Sequence, residues 1–145
     1  MDFEHIDAQS GENPKFTDER IADFLFNHLE QYGDAKEDIL KCINYVYRKG
    51  GFITVGHEGG DIKGAVVINE TGMSGYIPEN ILVYIAVDRS TRGKGYGRKL
   101  MTRVIEKARG DIALHVEPDN PARHLYENIG FTNKYLEMRY KKNPS

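Results

Sequence analysis

The chain has 145 residues, of which 20 are Lys or Arg and 22 Asp or Glu, for a formal net charge of −2. That length suits one domain, 1–145, and the balanced charge excludes a basic nucleic-acid footprint, so no nucleic-acid partner is expected. With 39% hydrophobic residues there is enough apolar material for a core, which excludes global disorder.

The first ten residues, MDFEHIDAQS, carry neither a basic n-region nor an apolar h-region, so a cytoplasmic location is expected. Phe3 to Asp7 alternates as an edge strand would, and Gly11 to Pro14 reads as a turn. Thr17 can N-cap a helix with Asp18 and Glu19 in its first turn. Ile21, Phe24, Leu25, Leu29 and Tyr32 recur at helical spacing before Gly33 stops it. A second helix follows. Asp34 and Glu37 have capping-box spacing, Ile39, Leu40, Ile43, Val46 and Tyr47 form its stripe, and Arg48-Lys49-Gly50 ends it. The single cysteine, Cys42, falls inside that helix and reads as a small apolar filler.

From Gly51 the period changes to two. Phe52 to Gly56 and Ile62 to Ile68 flank Glu58-Gly59-Gly60-Asp61, a hairpin signal. After a polar loop, Ile81 to Val87 is apolar on both faces, as a strand covered on two sides would be. This is the longest apolar run, seven residues, against the ~20 that span a bilayer, so no membrane partner is expected. A helical stripe of Leu100, Met101, Val104, Ile105 and Ala108 predicts a helix from about Gly93 to Arg109. Then come a strand, Ile112 to Glu117, a helix capped by Asn120 with Pro121 first, a final strand, Lys134 to Lys141, and a frayed tail.

The informative segment is Arg92-Gly93-Lys94-Gly95-Tyr96-Gly97-Arg98, between a strand and a helix. Unpaired N–H groups and the helix dipole favour an anion there, glycines admit close approach, and Arg92, Lys94 and Arg98 add positive charge. Phosphate is the expected guest. The segment lacks the terminal Lys-Ser/Thr of a P-loop. A dinucleotide fingerprint would need Gly or Ala where Arg98 stands, although Glu117 could imitate its ribose-binding acid. A nicotinamide or other nucleotide binder therefore stays open from the loop alone. The histidines His5, His28, His57 and His124 show no metal-ligand spacing and read as surface residues, so no metal is expected.

These residues resemble the GCN5-related N-acetyltransferase (GNAT) family, whose Arg/Gln-x-x-Gly-x-Gly/Ala signature is met by Arg92-x-x-Gly95-x-Gly97. A second family segment, Asn…Leu-Tyr-Glu-x-x-Gly-Phe, is met by Asn120 to Phe131, one residue shorter before Tyr126. The resemblance implies the acyl-CoA N-acyltransferase fold: an α/β (α+β) architecture whose mixed, mostly antiparallel sheet contains a splayed parallel strand pair, with flanking helices. It implies acetyl-CoA as donor. Backbone groups of Ile85, Ala86 and Val87 would hold the pantetheine arm, the loop amides from Gly93 to Arg98 the pyrophosphate, and Asn120 would be both helix cap and cofactor-side contact. By the same resemblance Tyr126 would protonate the leaving sulfur. His115 would stand where some members carry a proposed base, on one strand face with Glu117. The implied reaction is direct attack by a primary amine of a small molecule or protein N-terminus, with an acetyl-CoA-binding sensor as the alternative. The loop Thr71 to Asn80 and the junction with Tyr32 and Asp34 would border the acceptor. A homodimer is compatible with this resemblance.

Overall fold

The computed structural model describes residues 1–143; the end of the expected frayed tail, residues 144–145, lies outside them. The chain forms two compact units, Met1–Leu114 and a second from His115 onward.

In the first unit, β1 (Asp2–Ile6), β2 (Gly51–Glu58), β3 (Asp61–Glu70), β4 (Asn80–Val87) and β5 (Ile112–Leu114) form one sheet in that order. The first three pairings are antiparallel, and β4 with β5 is parallel. This is the mixed, mostly antiparallel sheet expected from the sequence. β1 is the edge strand foreseen. The hairpin joins Glu58 to Asp61 through Gly59 and Gly60, both at positive φ, which is the geometry of a two-residue type I′ turn.

Helices α1 (Asp18–Leu29) and α2 (Lys36–Arg48) pack Ile21, Leu25, Ile39, Ile43 and Val46 against Ile53, Val55, Ala65 and Val67 of the sheet. Thr17 caps α1 as predicted, its Oγ1 accepting from the Arg20 amide at 3.2 Å. The Asp34–Glu37 capping box does not form. Ala35 takes the N-cap position with no side-chain bond, because the Asp34 carboxylate is engaged by Tyr84 instead. Cys42 is the buried filler expected; its thiol donates to Asn69 Oδ1 at 3.4 Å, and burial pushes its pKa up to about 12.

Helix α3 (Tyr96–Lys107) covers the opposite face of the sheet with Leu100, Met101 and Val104. Gly64 makes that approach feasible, since a Cβ there would collide with Leu100. The helix is shorter than the predicted Gly93–Arg109. Gly93 and Gly95 sit at positive φ and Ala108 is extended, so neither flank can continue the helical hydrogen-bond ladder.

The second unit contains α4 (Ala122–Ile129) and little other regular structure. Two sequence expectations are corrected here. β5 stops at Leu114, not Glu117, so strand alternation does not place His115 and Glu117 on one face. The predicted strand Lys134 to Lys141 is absent: that stretch is irregular, with Tyr135, Leu136, Met138 and Tyr140 exposed. The stretch forms no strand pairing among the described residues, and an isolated strand leaves its backbone groups without ladder partners.

Candidate active site

β4 carries one residue more than β3 can match. Val67 faces Tyr84 and Ile68 faces Leu82, so Val83 is a bulge. Facing residues share a side of the sheet, and the extra residue therefore turns Tyr84 toward α1 and α2, where it joins their apolar cluster. Its hydroxyl donates to Asp34 Oδ2 at 2.5 Å. Burial, then this bond, hold the Tyr84 phenol far above the ordinary range.

Past the bulge, β4 is half free. Its parallel ladder with β5 covers only Asn80, Ile81 and Leu82, and among the described residues no strand pairs with Val83–Val87 on that side. Ile85, Ala86 and Val87 therefore keep backbone groups on an unpaired edge, the arrangement an extended ligand can join like an added strand.

Asp88 ends β4 and caps a 3₁₀ turn, Arg89–Thr91. Its carboxylate accepts from the Ser90 amide at 2.9 Å and the Ser90 hydroxyl at 2.7 Å, and these bonds hold its pKa below the usual carboxylate range. Thr91 is buried and donates through Oγ1 to the Asp88 carbonyl. The turn delivers the chain into the glycine loop. Gly93 and Gly95 are at φ +84 and +78 with nothing within 4 Å of a notional Cβ, so they serve backbone conformation and open space.

Helix α3 starts with no side-chain cap. The Lys94 and Lys99 amides bond within the loop, while those of Gly93, Gly95, Tyr96, Gly97 and Arg98 find no partner among the described residues. Lys94 and Arg98 are exposed, and Tyr96 is tied by its hydroxyl to Glu58 Oε1 at 2.9 Å. A row of free donors at a positive helix end, flanked by cations, can accept an anion.

Arg92 is not free. Its Nη2 lies 3.1 Å from Glu30 Oε1, and Arg89 Nη1 lies 3.6 Å from the same oxygen. Glu30 has φ +56, the one non-glycine residue at positive φ among those described, a conformation that costs on the order of 1–3 kcal/mol. Nearby, His28 Nδ1 accepts from the Arg89 amide at 3.3 Å, and its ring stacks on Phe24 at 4.5 Å. Sequence reading missed Glu30 and placed His28 at the surface. His28 is in fact mostly buried, as is His57, whose ring packs on Phe16 and whose nitrogens make no hydrogen bond.

In the second unit, Tyr126 is 7% exposed on α4, its ring 6.0 Å from that of Phe131. Burial alone pushes its phenol up to about 12. Asn120 Oδ1 accepts from the Ala122 amide at 2.9 Å, so it caps the start of α4, one position earlier than the helix boundary suggests. His115 is exposed and lies outside any strand. Among the described residues no cluster of His, Cys, Asp or Glu could hold a metal ion, and no helix is long and apolar enough to cross a membrane.

Residues 13–131 match the acetyltransferase (GNAT) family. The chain belongs to the GNAT family. A GNAT relative from Pseudomonas phage PaMx11, a 5-NmdU N-acetyltransferase, is 31% identical over 101 residues, 68% of this chain and 69% of its own. The N-alpha-acetyltransferase RimI of Mycobacterium tuberculosis is 40% identical over 58 residues, 39% of this chain and 37% of that one. Among solved GNAT structures, the aminoglycoside N-acetyltransferase AAC(6′)-Iy in complex with CoA superposes with a TM-score of 0.69 at 16% identity, over 99% of this chain and 95% of that one. The fold is thus that of GNAT acetyltransferases, and the chain is an acetyl-transferring GNAT enzyme. The named N-acetyltransferase relatives favour transfer over the sensor alternative.

Proposed function

We propose that this enzyme transfers the acetyl group of acetyl-CoA to a primary amine by direct attack, with donor and acceptor bound together. The observation that carries the reading is the loop before α3, whose unpaired amides and open glycines fit a diphosphate. The CoA in the AAC(6′)-Iy complex supports the same donor.

Each group then has a task. The loop amides from Gly93 to Arg98 hold the pyrophosphate, and Arg92, Lys94 and Arg98 neutralise it. The free edge of β4 at Ile85, Ala86 and Val87 aligns the pantetheine arm, and an amide there stabilises the oxyanion that develops on the thioester carbonyl. Asn120 contributes on the cofactor side. The amine must lose a proton to attack, and His115, or water beside it, accepts that proton. As the C–N bond forms and the C–S bond breaks, the electron pair leaves on sulfur. Tyr126 donates its phenolic proton there and is reprotonated from solvent.

The acceptors named for the relatives define the first panel. Purified protein is assayed for thiol release from acetyl-CoA with 5-NmdU, peptides bearing a free N-terminus, aminoglycosides and polyamines. Acceptor-dependent release with a matching acetylated amine is expected. Binding of CoA without release on any primary amine would overturn the acceptor class, and absence of CoA binding would overturn the donor.

A further inference from the structure

Glu30 breaks a local rule. It follows α1 and opens a short 3₁₀ turn, Glu30–Tyr32, as a non-glycine residue at φ +56. Residues that go against local preference persist where something else holds them, most often near functional sites. Here the holders are Arg92 at 3.1 Å and Arg89 at 3.6 Å, the cations that flank the 3₁₀ turn and open the glycine loop.

We propose that Glu30 is an internal competitor for the donor's diphosphate: it occupies the Arg92 guanidinium in the empty enzyme, so that binding exchanges one anion for another and donor affinity is set below what the loop alone would give. This inference rests on the donor site proposed above. The pair is open to water, with Arg92 58% and Glu30 35% exposed, so the exchange meets little barrier from desolvation. A guanidinium fork matches a phosphate edge as well as a carboxylate. When the diphosphate takes Arg92, the carboxylate left beside it adds like-charge repulsion that a neutral side chain would not. His28 holds the Arg89 amide from the same turn of α1, which keeps Glu30 within reach of the arginines.

The test measures coenzyme A binding by calorimetry to the unaltered protein, Glu30→Gln, Arg92→Ala and the double variant. Glu30→Gln keeps the side-chain size and removes the charge. It is expected to tighten coenzyme A by roughly two- to fivefold, the range open to an exposed ion pair. The gain should shrink with added salt, and shrink again in the Arg92→Ala background to the part that carboxylate–diphosphate repulsion alone supplies. Glu30→Gly, which suits the positive φ, guards against a folding defect and should tighten binding as well. Unchanged or weaker binding in both Glu30 variants, with coenzyme A still bound by the unaltered protein, would overturn this inference and leave the donor reading standing. A gain of undiminished size in the Arg92→Ala background would overturn it too. Failure of the unaltered protein to bind coenzyme A would overturn the donor reading, and this one with it.

Discussion

Tyr84 and Asp34 stand fifty positions apart in the chain, and the phenol of the first donates to the carboxylate of the second at 2.5 Å. The two partners differ in environment: Tyr84 is buried and Asp34 exposed. Losing the phenol leaves a carboxylate that water can reach, whereas losing the carboxylate leaves a buried hydroxyl without an acceptor. Tyr84→Phe should therefore cost about 0.5–1.5 kcal/mol of stability and Asp34→Ala about 1–3 kcal/mol. Urea unfolding of the two variants checks the order. A larger loss for Tyr84→Phe would show that the bond does not carry the asymmetry.

Gly95 offers a cleaner test of the loop. A methyl group there meets nothing within 4 Å, so the only penalty of Gly95→Ala is its φ of +78, worth about 1–2 kcal/mol for an L-residue. The loop can relieve that strain by relaxing toward negative φ, which swings its free amides away from a common target. Coenzyme A affinity should fall by roughly tenfold, the equivalent of ~1.4 kcal/mol, with a small change in melting temperature. Wild-type affinity in Gly95→Ala would show that the loop amides do not act together.

What was legible in the sequence and what was not follows the range of the interactions. The α2 stripe, the Gly59-Gly60 hairpin and the position of the glycine loop depend on residues close in the chain and match the structure. Helix α1, by contrast, ends at Leu29 and not at Gly33, because Glu30 leaves the helical region at φ +56 and Tyr32 falls in a 3₁₀ turn. The Val83 bulge depends on how β3 pairs with β4, and no local period announces it. Glu30 carries no local signal, because its arginine partners lie about sixty positions on. The capping box at Asp34 was sound chemistry locally and lost to Tyr84, which competes for the same carboxylate. At the C-terminal end, alternation in Lys134 to Lys141 suggested a strand, but alternation specifies only a face, and a strand also needs a neighbour.

The proton that leaves with sulfur assigns a testable task to Tyr126. Burial pushes its phenol up to about 12, so it stays protonated across the neutral range and cannot produce an alkaline limb in the rate near pH 9. Tyr126→Phe keeps the ring packed against Phe131 and deletes only the hydroxyl. Turnover should drop by about 10²-fold or more, the range for general acid catalysis, while acetyl-CoA affinity stays within roughly threefold, below 1 kcal/mol. Steady-state kinetics paired with calorimetry separate the two quantities. Unchanged turnover in the variant would remove Tyr126 from proton transfer.

His28 predicts how stability responds to acid. Burial holds its pKa below the ordinary value, Asp88 opposes this, and Arg89 and Arg92 assist it. Its Nδ1 must be unprotonated to accept the Arg89 amide. The folded state therefore resists a proton that the unfolded chain takes up near pH 6.5. The sign follows from linkage: the unfolded state binds more protons below that value, so this contribution is complete above about pH 6.5 and is lost as pH falls through the depressed folded pKa. Melting temperature should decline from pH 7.5 to 5.5. His28→Gln, which offers an amide oxygen to the Arg89 amide and does not titrate, should decline less over the same window. An identical slope in both proteins would place the acid sensitivity elsewhere and show that the α1 end does not hold the turn before the loop through a neutral imidazole.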